Sequence, residues 1–267
     1  MAQYIIADSH SHIFPQKIAE KASKSIGDFY DTENKNPSAA PEILLEKDKA
    51  AGISKILVCS SAVVAHQVEG INSFISEQCQ LHPEFLGLGT LHPDYENYSE
   101  ELDRIVSLGL HGLKFHPDFQ HFDIDDPRMD KIYEKASKLG LVILFHMGDD
   151  RTDYSSPLRL ARVVDKYPDL KVIAAHFGGY RAWDKVKNIR KSENVFFDTS
   201  SSLEFLPKET ALDLIDHFGY KQFMFGVDFP MWDPKEELEK YFSLGLSEEI
   251  NQAILAENFK RLFNIEF

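Results

Sequence analysis

Eight short apolar runs, rich in β-branched residues, constrain this chain more than anything else in it. Each ends in a polar residue, and a helical stretch follows. They are Tyr4–Asp8, Lys55–Ser60, Phe85–Thr90, Gly112–His116, Leu141–His146, Lys171–His176, Val195–Thr199 and Phe223–Asp228. Several, such as Leu141-Val142-Ile143-Leu144-Phe145, are apolar without alternation, as expected of parallel strands covered on both faces. Between them, Met129, Ile132, Tyr133, Ala136 and Leu139 recur at three or four residues, which predicts a helix burying that face. Leu158, Ala161 and Val164 form a similar stripe. Gly52, Gly109 and Gly140 follow such stretches, where a left-handed cap residue belongs, and Pro127 and Pro157 stand where helices start.

Eight such units predict an α/β fold, a single (β/α)8 TIM barrel domain over residues 1–267. A content of 43% hydrophobic residues suffices for its core. The alternative, an open doubly wound sheet, predicts a glycine-rich phosphate loop after the first strand. Asp8-Ser9-His10-Ser11-His12 stands there instead. Two regions break the rhythm. The first βα connection, about residues 13–40, is long: Ile18, Ala19, Ala22 and Ile26 suit a short helix, and the stretch from Asp28 to Pro41 is polar and turn-rich. It reads either as a lid over the barrel mouth or as a passive surface loop. The tail after Asp228 carries two helical stretches, Pro234–Tyr241 and Ser247–Leu262, expected to pack against the barrel.

Charge and cysteine content narrow the setting. Lys and Arg number 29 against 43 Asp and Glu, a net charge of −14. A field of that sign repels phosphate backbones, so no nucleic-acid partner is expected. Two cysteines, Cys59 and Cys79, make no disulfide framework. No apolar run reaches membrane-spanning length, and no basic-then-apolar leader opens the sequence. A cytoplasmic protein acting on a small molecule is the expectation, with no membrane partner.

In a barrel of this kind the chemistry sits at the C-terminal ends of the strands. Those ends carry His10 and His12, Thr90 and His92, Lys114 and His116, His146, His176, Asp198 and Asp228. His10 and His12 are two apart, so on an extended strand both imidazoles face the same way and can grip one metal ion. His146 supplies a third nitrogen and Asp228 an oxygen. A divalent ion held so lowers the pKa of a bound water. His176 then orients or deprotonates that water, and Asp228 both touches the metal and carries a proton.

Five ordered stretches also resemble a known family: Asp8-Ser9-His10-Ser11-His12-Ile13, Gly112-Leu113-Lys114-Phe115-His116-Pro117, Phe145-His146-Met147-Gly148, Ala175-His176-Phe177-Gly178-Gly179 and Phe225-Gly226-Val227-Asp228-Phe229-Pro230. The closing Glu257-Asn258-Phe259-Lys260-Arg261-Leu262-Phe263 adds to the likeness. The chain resembles the amidohydrolase superfamily, in its branch related to aminocarboxymuconate-semialdehyde decarboxylase. The resemblance implies a distorted (β/α)8 barrel of the metallo-dependent hydrolase type, often homodimeric. It implies one divalent metal, zinc or manganese, on His10, His12, His146 and Asp228, with His176 as the catalytic histidine. Members split between hydrolysis and non-oxidative decarboxylation.

The expectation placed first is a hydrolase that cleaves an amide, lactone or ester with metal-activated water. The alternative is a decarboxylase of a small carboxylic acid, aromatic or not, on the same ligands. A non-enzymatic metal-binding protein is a third class, disfavoured because structural metal sites are usually closed. Lys114 and Arg151 are candidate anchors for an acidic substrate, Arg151 as a two-pronged clamp. In some amidohydrolases a carboxylated lysine at the position of Lys114 bridges two metals; its Gly-Leu-Lys-Phe-His-Pro context resembles the single-metal branch. His92 and His116 read as substrate contacts or as structural residues.

Overall fold

Nine strands follow one another in the computed structural model, which describes residues 4–267. They are β1 (Ala7–His12), β2 (Lys55–Cys59), β3 (Phe85–Gly87), β4 (Gly89–Thr90), β5 (Gly112–Phe115), β6 (Val142–Phe145), β7 (Lys171–Ala174), β8 (Val195–Asp198) and β9 (Phe223–Met224). The run expected over Phe85–Thr90 is thus two strands that break at Leu88, between two glycines. Glycine leaves a strand without a side chain to pack and commonly marks a bend. No helix among the described residues is long and apolar enough to cross a membrane.

The contacts within the chain divide it into two compact units. One holds the described residues up to Cys59, with Leu81–Leu86 and Thr199–Phe267; the other holds Ser60–Gln80 and Gly87–Asp198.

In the first unit β1 lies parallel to β2, pairing Asp8 with Ile56 and Ser11 with Val58. Three steps along β1 match two along β2, so one extra residue bulges at Ser9-His10, a device that re-aims side chains. Along its other edge β1 is laced to residues 225–229. Ser9 N–H donates to Phe225 O at 2.9 Å, Asp228 N–H to His10 O at 2.6 Å, and His12 N–H to Phe229 O at 2.8 Å. The strand therefore starts and ends later than the apolar run Tyr4–Asp8 suggests. Ile5 is half exposed, and the polar residues from Asp8 to Ser11 are the buried part. The last run is corrected the other way: only Phe223–Met224 is regular strand, and the chain beyond it is held by its bonds to β1. A π-helical turn at Ala253–Glu257 interrupts the tail helices, and within it Ile254 O accepts from Phe225 N–H at 3.0 Å.

The first connection contains a longer helix than its apolar spacing suggests, Ala19–Tyr30, and a second helix, Pro41–Ala51, with Pro41 at its first turn and Gly52 as a left-handed cap at φ 83°. Residues 31–40 between them are tied down. Lys35 N–H donates to Met231 O at 3.0 Å and Asn36 N–H to Pro230 O at 3.1 Å. The buried Asn36 amide donates to Pro230 O at 3.3 Å and Trp232 O at 2.9 Å. A lid made from this segment would have to release those four bonds.

In the second unit β4 to β8 form a parallel sheet in sequence order, with Leu113 opposite Ile143, Ile143 opposite Val172 and Ile173 opposite Phe196. β5, β6 and β8 are buried along their whole length, which is why their sequences do not alternate. Helix Asp130–Leu139 buries Ile132, Tyr133 and Ala136 as the spacing predicts, though Leu139 lies at the surface. Helix Pro157–Lys166 is rotated from the expected stripe: Leu160, Val163 and Val164 are buried, while Leu158 is exposed.

Two measurements probe this framework. Asn36→Ala removes two buried hydrogen bonds and takes the side-chain donor from Trp232 O, while Pro230 O keeps the Asn36 backbone N–H, so urea unfolding is expected to show a loss of about 1–3 kcal/mol. Glu237, on helix Pro234–Phe242 and 2% exposed, is pushed up to about 7 from 4.5, chiefly by burial; Asp228 and Glu204 add to the rise and Lys240 opposes it. The folded chain then keeps a proton that the unfolded chain loses. This contribution to stability is complete below pH 4.5 and disappears as pH rises through about 7, with a slope of up to about 1.4 kcal/mol per pH unit. In unfolding titrations at pH 5 and 7.5, Glu237→Gln is expected to be the less pH-sensitive protein.

Candidate metal centre

Alternation along β1 turns His10 and His12 to one side, as the sequence predicts, but within the strand and its bulge rather than beyond its end. Their Nε2 atoms are 3.3 Å apart. Asp228 Oδ1 lies 3.6 Å from the first and 3.2 Å from the second. Asp228 sits at φ 66°, a left-handed backbone that carries its carboxylate back over β1. All three residues are largely withdrawn from water, His10 completely.

The other imidazole nitrogens have partners of their own. Ser200 Oγ is 3.1 Å from His10 Nδ1, and Cys59 Sγ is 3.6 Å from His12 Nδ1. With the Nδ1–H tautomers, which those contacts accommodate, both Nε2 atoms are bare lone pairs facing a carboxylate oxygen. Three acceptors converging in a buried place repel one another unless a cation sits among them. Ligands about 2.1 Å from an ion at tetrahedral angles lie about 3.4 Å apart, which the three separations match. The donor set fits a divalent metal.

Asp8 builds this arrangement and was not singled out by sequence reasoning. It is fully buried and accepts from His10 N–H at 3.0 Å, Val227 N–H at 2.9 Å and Ser11 Oγ–H at 2.5 Å. One carboxylate thus holds the histidine strand and the chain leading to Asp228. Ser200 and Ser201 were also missed. The run of hydroxyl residues Thr199-Ser200-Ser201-Ser202, buried throughout, is the signal that would have found them.

The second unit gathers His146, His176 and His116. His146 follows β6, and its Nε2–H donates to Gly148 O at 2.9 Å, so Nδ1 carries the lone pair. His176 Nε2 lies 3.0 Å from that Nδ1. Gly148 is at φ 78°, and a Cβ there would come within 2.4 Å of Tyr180 O, so this position needs glycine. His176 is itself left-handed at φ 61°. Its N–H donates to Asp198 Oδ1 at 2.9 Å and its carbonyl accepts from Trp183 Nε1–H at 2.9 Å. A conformation of this kind costs about 1–3 kcal/mol and persists where its surroundings impose it.

His116 is a stacking residue, its ring lying between Phe119 at 3.7 Å and His146 at 4.0 Å, nearly parallel to both. Buried Asp118 has its pKa raised by burial, against hydrogen bonds from Ser155 and Thr152, and its Oδ2 is 3.8 Å from His146 Nε2. His92 Nδ1 accepts from Asp94 N–H at 3.2 Å, and burial lowers its pKa. Lys114 is fully buried on β5. The Arg151 guanidinium forks onto Asp149, at 2.9 Å from Nε to Oδ1 and 2.6 Å from Nη2 to Oδ2, so a substrate carboxylate would compete with that partner.

A family model described as Amidohydrolase matches residues 7–265. The chain belongs to the amidohydrolase family. A 2-amino-3-carboxymuconate-6-semialdehyde decarboxylase from Dictyostelium discoideum is 30% identical over 132 residues, which are 41% of this chain and 37% of that protein. The match therefore spans little more than a third of that relative. Among solved structures, an uncharacterised TIM-barrel protein from Bordetella bronchiseptica superimposes with a TM-score of 0.79 over 97% of this chain and 98% of its own, at 19% identity. A dihydroxybenzoic acid decarboxylase from Polaromonas sp. JS666, with bound manganese and the inhibitor 2-nitroresorcinol, superimposes with a TM-score of 0.75 over 98% of this chain and 97% of its own, at 16% identity. The fold is thus the TIM barrel that the eight-unit rhythm predicts, not the open sheet.

Substitution and elemental analysis test the triangle. His10→Ala and His12→Ala are each expected to lose metal on purification, whereas His116→Phe, which preserves the stack, is expected to retain it.

Proposed function

We propose that this enzyme is a metal-dependent, non-oxidative decarboxylase of a small, aromatic or similarly unsaturated carboxylic acid. The supporting observation is that two relatives with named activities, one alike in sequence and one in fold, are both decarboxylases of such acids. The convergent acceptors His10, His12 and Asp228 support a metal in the reading. Hydrolysis, placed first on the sequence motifs, becomes the second reading.

The proposed ligands remain His10, His12, His146 and Asp228, and the metal one divalent ion, manganese or zinc. When bound, such an ion supplies a Lewis acid for the oxygens of an anionic substrate. The residues do the rest. The C–C bond to the carboxylate breaks, CO2 leaves, and a proton takes its place on carbon. His176, its backbone clamped by Asp198 and Trp183, is assigned to that proton together with Asp228. Lys114 and Arg151 are assigned to the substrate's anionic groups, Arg151 by exchanging Asp149 for a second carboxylate.

The test is a panel of hydroxybenzoates, other unsaturated carboxylic acids, lactones and amides, assayed with manganese and zinc. Release of CO2 from one of the acids is the expected result; turnover of lactones or amides alone would return the assignment to hydrolysis. His176→Asn is expected to keep its metal and lose about two to four orders of magnitude in kcat.

A further inference from the structure

We propose that Ser201 and Trp232 are positioning residues that fix which oxygen of Asp228 meets the metal; the inference rests on the metal centre proposed above. Trp232 Nε1 is 2.8 Å from Ser201 Oγ, and Ser201 Oγ is 2.5 Å from Asp228 Oδ2. The direction of these bonds follows from chemistry. An indole N–H only donates, so it occupies the serine oxygen as an acceptor. The serine has one hydrogen, and the carboxylate oxygen beside it is an acceptor. Ser201 therefore donates to Oδ2, and Oδ1 is the oxygen turned to His10 and His12 at 3.6 and 3.2 Å. Without Trp232 the hydroxyl is free to rotate and to donate elsewhere.

The surroundings hold this chain of bonds in place. Ser201 adopts φ 49° and Asp228 φ 66°, left-handed conformations that bring the two side chains together. All three residues are buried. Lys240 Nζ lies 4.4 Å from the centre of the Trp232 ring and is itself anchored at 2.9 Å to both Glu204 and Glu237. Asn36 binds the Trp232 carbonyl at 2.9 Å. The indole is thus gripped from its face and its backbone, with its N–H aimed at one atom.

The experiment measures manganese affinity of the full chain by electron paramagnetic resonance of the free ion, in competition with a chelator. The proteins are wild type, Ser201→Ala, Ser201→Gly, Trp232→Phe and the double variant Ser201→Ala/Trp232→Phe. Glycine suits the left-handed backbone, so Ser201→Gly removes the hydroxyl without strain, and Trp232→Phe keeps an aromatic ring under Lys240. Both Ser201 variants are expected to bind manganese about 10- to 100-fold more weakly, the scale for removing a partner of a metal ligand. Trp232→Phe should lose less, and the double variant should bind as Ser201→Ala does, because Trp232 acts through Ser201. Unchanged affinity in both Ser201 variants, or losses that multiply in the double variant, would overturn the inference. A wild-type chain that takes up no manganese or zinc would overturn the metal centre itself, and this inference with it.

Discussion

The buried carboxylate of Asp8 is the interaction on which the histidine strand depends. A fully buried charge is tolerated only when donors surround it, and Asp8 has two backbone N–H groups and a hydroxyl. Those donors come from β1 itself and from Val227, one residue before Asp228. The same contact therefore stabilises the ion, shapes the bulge that carries His10, and brings the aspartate beside it. Polar residues can continue the strand through the interior because they satisfy one another there.

Backbone conformation does as much as side-chain chemistry. His176, Ser201 and Asp228 are all left-handed residues outside glycine, and each is pinned by bonds to neighbouring segments. In each case the strain turns a side chain that a regular strand would have sent elsewhere. Gly148 serves the same end without strain: its open φ and absent Cβ let the chain pass Tyr180 closely and put a carbonyl on His146 Nε2. That carbonyl selects the tautomer of a proposed ligand.

The fit of the three acceptors to a divalent ion supports a metal, and the activities of the relatives support the proposed reaction. The first depends on distances between lone pairs. The second depends on likeness of sequence and fold and speaks of other proteins. Only the second favours decarboxylation over hydrolysis in the proposed chemistry, since both reactions use the same ligands, and the proposed ligand set stays as the motifs suggest it.

Much of this was legible in the chain itself. Unbroken apolar runs announce strands covered on both faces, glycines after helical stripes mark left-handed caps, and two histidines two apart on an extended segment must share a side. These follow from local geometry, which residue order specifies directly. The sequence misplaced the ends of β1 and β9, because strand limits there depend on bonds between segments more than 200 residues apart. It rotated helix Pro157–Lys166, because two candidate stripes differ only in which one finds a core to cover. It passed over Asp8, Ser200 and Ser201, whose residue types are ordinary and whose roles arise from the direction of single hydrogen bonds. The sequence by itself determined the repeating strand-and-helix plan and the residue types able to hold a metal. Only the tertiary structure decided which nitrogen and which oxygen face one another, since that depends on partners brought together by folding.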